Sequence, residues 1–215
     1  MAVAPFTTRS DLLLGARQLA VLVAPYSVGP ITTLENPVTG ALSIPNAFVP
    51  LGLLKKSVGA TLSNTPTIND IESHGKGTPQ RQIPTKRVIQ VGFNPQETNR
   101  YNLERYWGAD FSSVTYSSQG GVAMAVPDLP INARYRVIML GQDDYQGSPI
   151  YLYWIGNRVN IAKTEDLALT DGDIADYPYT LNFESEDSLG SALTVGICGP
   201  GWKLLGQNVV TGFGS

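Results

Sequence analysis

A mainly β fold, a sandwich or barrel with one flanking helix, is what this 215-residue sequence predicts. Three observations lead there. Apolar and polar residues alternate with period two in several short segments, as half-buried strands require. The 22 Gly and 15 Pro are spread along the whole chain, so they punctuate short elements and do not form a low-complexity tract. One segment alone carries a set of helix signals. The length suits one domain, or one domain with a long arm, and a chain this long buries enough surface to need no disulfide or metal.

In chain order, the first 54 residues come first. Their only charges are Arg9, Asp11, Arg17 and Glu35, and six prolines interrupt them: Pro5, Pro25, Pro30, Pro37, Pro45 and Pro50. We divide the chain accordingly. Residues 1–54 are a low-charge N-terminal arm with the first strand or strands, and residues 55–215 are the sandwich core. So uncharged an arm is either an irregular edge of its own core or an extension lying along a neighbouring subunit, because large uncharged surfaces mark interfaces. The stretch from Leu12 to Ala24 is broken by Arg17 and Gln18 and falls short of the ~20 apolar residues a membrane helix needs. It also lacks the flanks of a signal peptide, so an unprocessed product, made in the cytoplasm and not inserted in a membrane, is expected.

Strands are predicted where residues alternate. Ile89, Val91 and Phe93 share one face, as do Tyr135, Val137 and Met139, then Tyr179, Leu181 and Phe183, then Leu193, Val195 and Ile197. Gln119-Gly120-Gly121 and Asp171-Gly172 suit hairpin turns, since Gly tolerates positive φ. The helix is predicted from Pro95 to Trp107. Asn94 stands as N-cap, Pro95 at the first helical position, Glu97 three residues after the cap, and Gly108 at the stop. Leu103, Tyr106 and Trp107 then fall on one face and should cover a sheet.

Charge limits the function. Charged residues are 15% of the chain against a usual share of about 25%, so the chain is short of charge. The net charge of -3 argues against a dedicated nucleic-acid binder. The distribution is uneven. Six basic residues fall between Lys76 and Arg105, and ten acidic ones between Asp143 and Asp187. A bipolar subunit of that kind can attract copies of itself, and solvated loops account for the same pattern.

Catalytic and metal chemistry have little to work with. One Cys and one His exclude an internal disulfide and a zinc site with several Cys or His ligands. His74 lies in Glu72 to Gly77, a loop or hairpin tip, and Cys198 in an apolar strand, where thiols are usually inert. Asp171-Gly172-Asp173 with Asp176 lacks the Gly and the distant Glu of a calcium loop and reads as a turn with solvated carboxylates. No enzyme activity and no cofactor are expected.

The stretch Gln96-Glu97-Thr98-Asn99-Arg100-Tyr101-Asn102-Leu103-Glu104-Arg105-Tyr106-Trp107-Gly108-Ala109-Asp110 resembles the Glu-Thr-x-basic-x-x-Leu-Glu-x-Tyr-x-Gly-x-Asp helix of major tail proteins from long-tailed, non-contractile phages, those of actinobacteria above all. The flanks are similar too. Val58-Gly59-Ala60 resembles the family's strand, and Asp70-Ile71-Glu72-Ser73-His74-Gly75 its acidic-Ile-acidic…Gly approach to a long loop. Tyr135-Arg136-Val137-Ile138, Arg158-Val159-Asn160 and Tyr179-Thr180-Leu181-Asn182-Phe183 follow in the family's order, and Asp187-Ser188-Leu189-Gly190 resembles its closing signature. The resemblance covers residues 50 to 200 and leaves the arm unmatched.

The resemblance implies a tail-tube subunit. Family members are β-sandwiches or barrels with one flanking helix. Six copies close into a ring, rings stack, a loop or arm bridges them, and the genome passes through the bore on ejection. By that resemblance Ser73, His74, Gly75, Lys76, Gly77 and Arg81, within the loop from Ser73 to Gln82, would bridge rings. Glu97, Arg100, Leu103, Glu104, Tyr106 and Trp107 would lie at a subunit contact. A bore that lets DNA slide should not be basic, because Lys and Arg contacts release counterions and hold the duplex. Asp143, Asp144, Glu165, Asp166, Asp171 and Asp173 are the acidic candidates to line it. The expected partners are further copies of the chain, the tape measure, terminator and distal tail proteins, and phage DNA in transit without specific binding. The expected place is the tail of the virion. Two alternatives stay open: another tail component, such as a terminator or distal ring, and a carbohydrate-binding β-sandwich using exposed aromatic residues. Against the latter, Tyr151, Tyr153 and Trp154 sit in an apolar run that should be buried.

Overall fold

Alternating residues in Arg81–Phe93, Tyr135–Tyr145 and Tyr179–Phe183 do form strands, in a computed structural model that describes residues 9–208 and 213. Its strands are β1 (Gln18–Pro25), β2 (Val49–Pro50), β3 (Ala60–Ile71), β4 (Arg81–Phe93), β5 (Tyr135–Tyr145), β6 (Ser148–Thr164), β7 (Tyr179–Phe183) and β8 (Thr194–Cys198). All pair antiparallel in one sheet, in the order β2-β1-β5-β6-β7-β4-β3, with β8 beside β6. The protein is mainly β, as the alternation predicts.

β6 organises the sheet. Along one edge it pairs with β5, and along the other with β8 over Tyr151–Ile155 and with β7 over Val159–Thr164. Its run from Ile150 to Ile155 can be apolar throughout because both faces are covered. Tyr153 in that run is buried, while Tyr151 and Trp154 are half-buried. Tyr145 and Ser148 face each other across a two-residue turn in which Gln146 (φ 51) and Gly147 (φ 78) are both left-handed. This is the backbone a type I′ hairpin demands. The turns expected elsewhere differ. Gln119-Gly120-Gly121 lies in the irregular 109–134 connection, and Asp171-Gly172 in the long 165–178 connection between β6 and β7. Neither joins strands tightly.

The sheet has a core on each face. Val21, Val23, Val91, Phe93, Val137, Met139, Val159, Tyr179, Leu181 and Phe183 make the first, with Phe93 and Tyr179 edge to face at 5.1 Å. The sheet curls around this core: Leu19 of β1 and Leu62 of β3, from opposite ends of the strand order, line a common cleft. Leu22, Ala24, Ile138, Tyr153, Ile155 and Cys198 make the second core. Residues 26–48 cover it with Val28, Ile31, Leu34, Leu42, Ile44 and Phe48. That cover is pinned by side chains. Asn157 donates to the Ile31 carbonyl (2.7 Å) and accepts the Ile31 N–H (2.9 Å), copying a strand pairing. Arg136, buried, donates to the carbonyls of Val28 and Asn157, pairs with buried Glu186 at 3.1 Å, and stacks on Tyr26 at 4.7 Å. Residues 26–48 thus complete the chain's own core, while Leu13 and Val38 stay exposed.

The helix α1 runs from Arg100 to Trp107, five residues later than its predicted start. Asn99, not Asn94, is the cap, and its side chain accepts the Asn102 N–H at 3.0 Å. Pro95 is held extended by a bridge to Leu54, and Glu97 accepts the Leu53 N–H at 2.9 Å, so neither can start a helix. Gly108 ends it in the left-handed conformation, as expected. The buried face also differs. Asn102 and Arg105 are buried, Leu103 is half-buried, and Trp107 is 42% exposed. A second helix, α2 (Pro200–Asn208), follows β8 and buries Leu205 against β5 and β6. The sequence reading gave only one helix. β8 also departs from its expected face: Val195 is exposed because Gly196 lies under the Tyr153 ring and Cys198 turns into the second core.

Candidate functional site

β3 and β4 pair from Ala60↔Phe93 to Ile71↔Arg81, with a bulge between Thr67 and Ile68. Val91 and Phe93 anchor the base of this hairpin in the core. Beyond Thr65↔Val88 every residue is exposed except half-buried Ile83, so the ribbon stands clear of the body by roughly 25 Å. Ser73, His74, Gly75, Lys76 and Gly77 form its tip, where the Lys76 N–H meets the Ser73 carbonyl at 3.2 Å, and Arg81 begins the returning strand. Lys76, Arg81, Lys86 and Arg87 all lie on the hairpin and enter no ion pair among the described residues. β3 is also the end strand of the sheet, with one edge unpaired among the described residues. His74 at this tip and Cys198 in the second core are not brought together. Burial pushes the Cys198 thiol up to about 11, so it stays protonated.

The residues placed at a subunit contact by the resemblance work largely inside their own chain. Glu97 lies outside the helix, under Gly52. Arg100 pairs with Glu104 at 3.5 Å, and Glu104 accepts the Phe111 N–H at 3.2 Å. Leu103 lines a cleft with Phe111, Tyr116 and Met124 of the connection that follows the helix. Tyr106 donates to the Glu165 carbonyl at 2.8 Å, and burial pushes its phenol up. Trp107 packs edge to face on Tyr106 at 5.1 Å and remains open to solvent.

The acidic residues proposed for a bore form two groups. Asp143 and Asp144 lie beside the β5–β6 turn, and Glu165, Asp166, Asp171 and Asp173 in the 165–178 connection. These places are at opposite ends of β6, roughly 50 Å apart along the strand. Asp143 accepts the N–H groups of Gly15 (2.6 Å) and Asp144 (2.9 Å), which hold its carboxyl below the usual range. Asp144 pairs with Arg17, Glu165 with Lys163 at 2.8 Å, and Asp173 with Lys55 at 3.2 Å. The Lys55 bond lowers Asp173, and Asp173 with Asp176 raises Lys55. Asp173 and Asp176 thus spend their charge on a lysine. Asp166 and Asp171 are exposed and enter no ion pair among the described residues.

Sequence reasoning missed the buried pair Asn102 and Arg105. Their signal was the spacing of Tyr101 and Arg105, one turn apart on a face different from that of Leu103 and Tyr106. Asn102 ties the helix to the N-terminal part, donating to the carbonyls of Leu51 (2.9 Å) and Glu97 (2.8 Å).

No family model matches the chain, and no curated protein matches it. Among solved structures, one titled "Crystal structure of Hcp protein" aligns over 83% of this chain and 96% of that one, with 7% sequence identity and a TM-score of 0.32.

Proposed function

We propose that this chain is a structural subunit of a tail tube, assembling with copies of itself into hexameric rings that stack around a bore. The β3–β4 hairpin is the observation that carries the reading. A two-stranded ribbon open on both faces is marginal by itself. This one exposes Leu62, Ile68 and Ile71 together with four cations that form no ion pair among the described residues. Such an arm finds its covering on another molecule. Exposed carboxylates at Asp128, Asp166 and Asp171 give a copy of the chain the opposite charge. Contact between two different patches is heterologous, and heterologous contacts generate rings and open filaments.

The motif from Glu97 to Asp110, which resembles the helix of siphophage major tail proteins, supports the same use. In that role the tube joins tape measure, terminator and distal tail proteins in the virion, and DNA passes through without being held. Negative-stain imaging of the purified protein tests it. Long hollow tubes are expected. Isolated rings would assign the chain to a terminal or distal ring, and a monomer at every concentration would overturn self-assembly.

A further inference from the structure

The β3–β4 hairpin and the 165–178 connection point away from each other. Phe93 of β4 pairs with Tyr179 of β7, and Tyr179 with Thr164 of β6. The base of the hairpin is therefore level with the start of the connection. Arg81 stands at the far end of the 13-residue β4, roughly 40 Å from that level. The tip cannot reach the connection of its own chain.

Directly paired residues of a ribbon share a face, and successive ones alternate. The pairs Ile71↔Arg81 and Asn69↔Ile83 put Ile71, Ile83 and Arg81 on one face near the tip. Asp70 and Gln82 fall on the other face, joined by a 2.9 Å hydrogen bond. The first face thus presents two isoleucines and a cation, and neither strand places a carboxylate on it.

The opposite end of the molecule carries the complement. Trp107, Pro127, Pro130 and Ile131 line a cleft of about 560 Å³ that reaches Thr164, and Trp107 and Ile131 are exposed. Asp128 adjoins one wall and Asp166 the other; both are exposed and enter no ion pair among the described residues. Lys163 in that wall is already held by Glu165 at 2.8 Å. Tyr106 ties the two walls together through the Glu165 carbonyl. An occupant needs an apolar side chain and a spare cation on an element that projects. Arg17, Lys55, Arg100, Arg134 and Arg158 of the body already hold carboxylates, whereas Arg81 stands free of one beside an exposed isoleucine.

We infer that the Trp107–Ile131 cleft receives the hairpin tip of a second copy, with Ile71 against Trp107 and Ile131 and Arg81 paired with Asp128 or Asp166. The inference rests on the self-assembly reading and names one of its contacts. It gives Asp166 a docking role instead of a place in the bore. Donor and acceptor lie at opposite ends of the chain, so the contact is head to tail and repeats from copy to copy.

Mixing Ile71→Cys protein with Ile131→Cys protein under mild oxidation tests the contact. Both positions are exposed, and the native Cys198 is buried. A disulfide-linked mixed dimer is expected, well in excess of either self-linked dimer. Tubes without the mixed dimer would overturn the inference and leave self-assembly standing. Arg81→Glu should raise the concentration needed for assembly by about tenfold or more. Adding Asp128→Arg or Asp166→Arg to Arg81→Glu should restore assembly near the wild-type concentration. Failure of both combinations would overturn the charge pairing. Wild-type protein that never forms tubes would defeat the self-assembly reading. The mixed disulfide then decides the docking alone: its formation supports the contact and its absence overturns it.

Discussion

Shortening the β3–β4 hairpin separates its role in folding from its role in contact. Thr65 and Val88 are directly paired, so replacing residues 66–87 with Asn-Gly closes the two strands with a type I′ turn and keeps the anchored base. The segment removed contains no buried residue and one half-buried one, Ile83. Changes confined to such surface move stability by about 0.5 kcal/mol, and in a chain of this length each kcal/mol shifts Tm by about 2–4 °C. A melt followed by circular dichroism should therefore stay within about 3 °C of the parent. Stacking should be lost, leaving no tubes in negative stain. A Tm lower by 10 °C or more would show that the ribbon packs on the body. Tubes of undiminished length would show that the ribbon bridges nothing.

Three further outcomes follow from the interior. Gly52→Ala places a Cβ 2.0 Å from the Glu97 carboxylate at a residue with φ +86, so it should cost about 2 kcal/mol in urea denaturation through backbone strain and a displaced Glu97–Leu53 hydrogen bond. Burial pushes the Glu186 carboxyl up, but Arg136, Tyr26 and Ser188 outweigh it and leave it below its ordinary value of 4.5. The unfolded state therefore binds the proton first. The stabilisation is present above about pH 4.5 and falls as pH drops toward the depressed native value. Urea midpoints measured from pH 6 downward should fall less steeply in Glu186→Gln. Cys198 should resist a thiol reagent at pH 8 in the native protein and react fully in urea; fast native labelling would contradict a thiol raised to about 11 by burial.

Three of the alternating segments were legible because one face of each meets the first core: Val91 with Phe93, Val137 with Met139, and Tyr179 with Leu181 and Phe183. The helix stop was legible because Gly108 acts locally. Its start was not, since the Leu54–Pro95 bridge and the Glu97–Leu53 bond join segments far apart in sequence and override a local capping pattern. Nor was its buried face: Leu103 is covered by the irregular connection after the helix, while Asn102 is buried because it reaches the Leu51 carbonyl. The hairpin was visible at its tip, where Glu72 to Gly77 reads as a loop or hairpin tip, but not in the length of its ribbon. Its exposed strands, with Thr, Asn and Pro in place of alternating apolar residues, carry no burial signal to read.

Salt separates charge-led contact from apolar contact at the hairpin. Within the body, Arg17, Lys55, Arg100, Arg134, Arg136, Arg158 and Lys163 each hold a carboxylate. The hairpin's Lys76, Arg81, Lys86 and Arg87 hold none among the described residues, and they stand in solvent, where the Debye length falls from about 10 Å at 0.1 M salt to about 3 Å at 1 M. If these cations steer the hairpin onto the carboxylates of another copy, the rate of assembly by light scattering should fall steeply between those concentrations. The fold should be unaffected, because its most buried ion pair, Arg136–Glu186, is shielded from solvent. Replacing all four cations with Gln should give the low rate at every salt concentration. An assembly rate that rises with salt would mean that Leu62, Ile68 and Ile71 drive the contact instead and that the charges only hinder it.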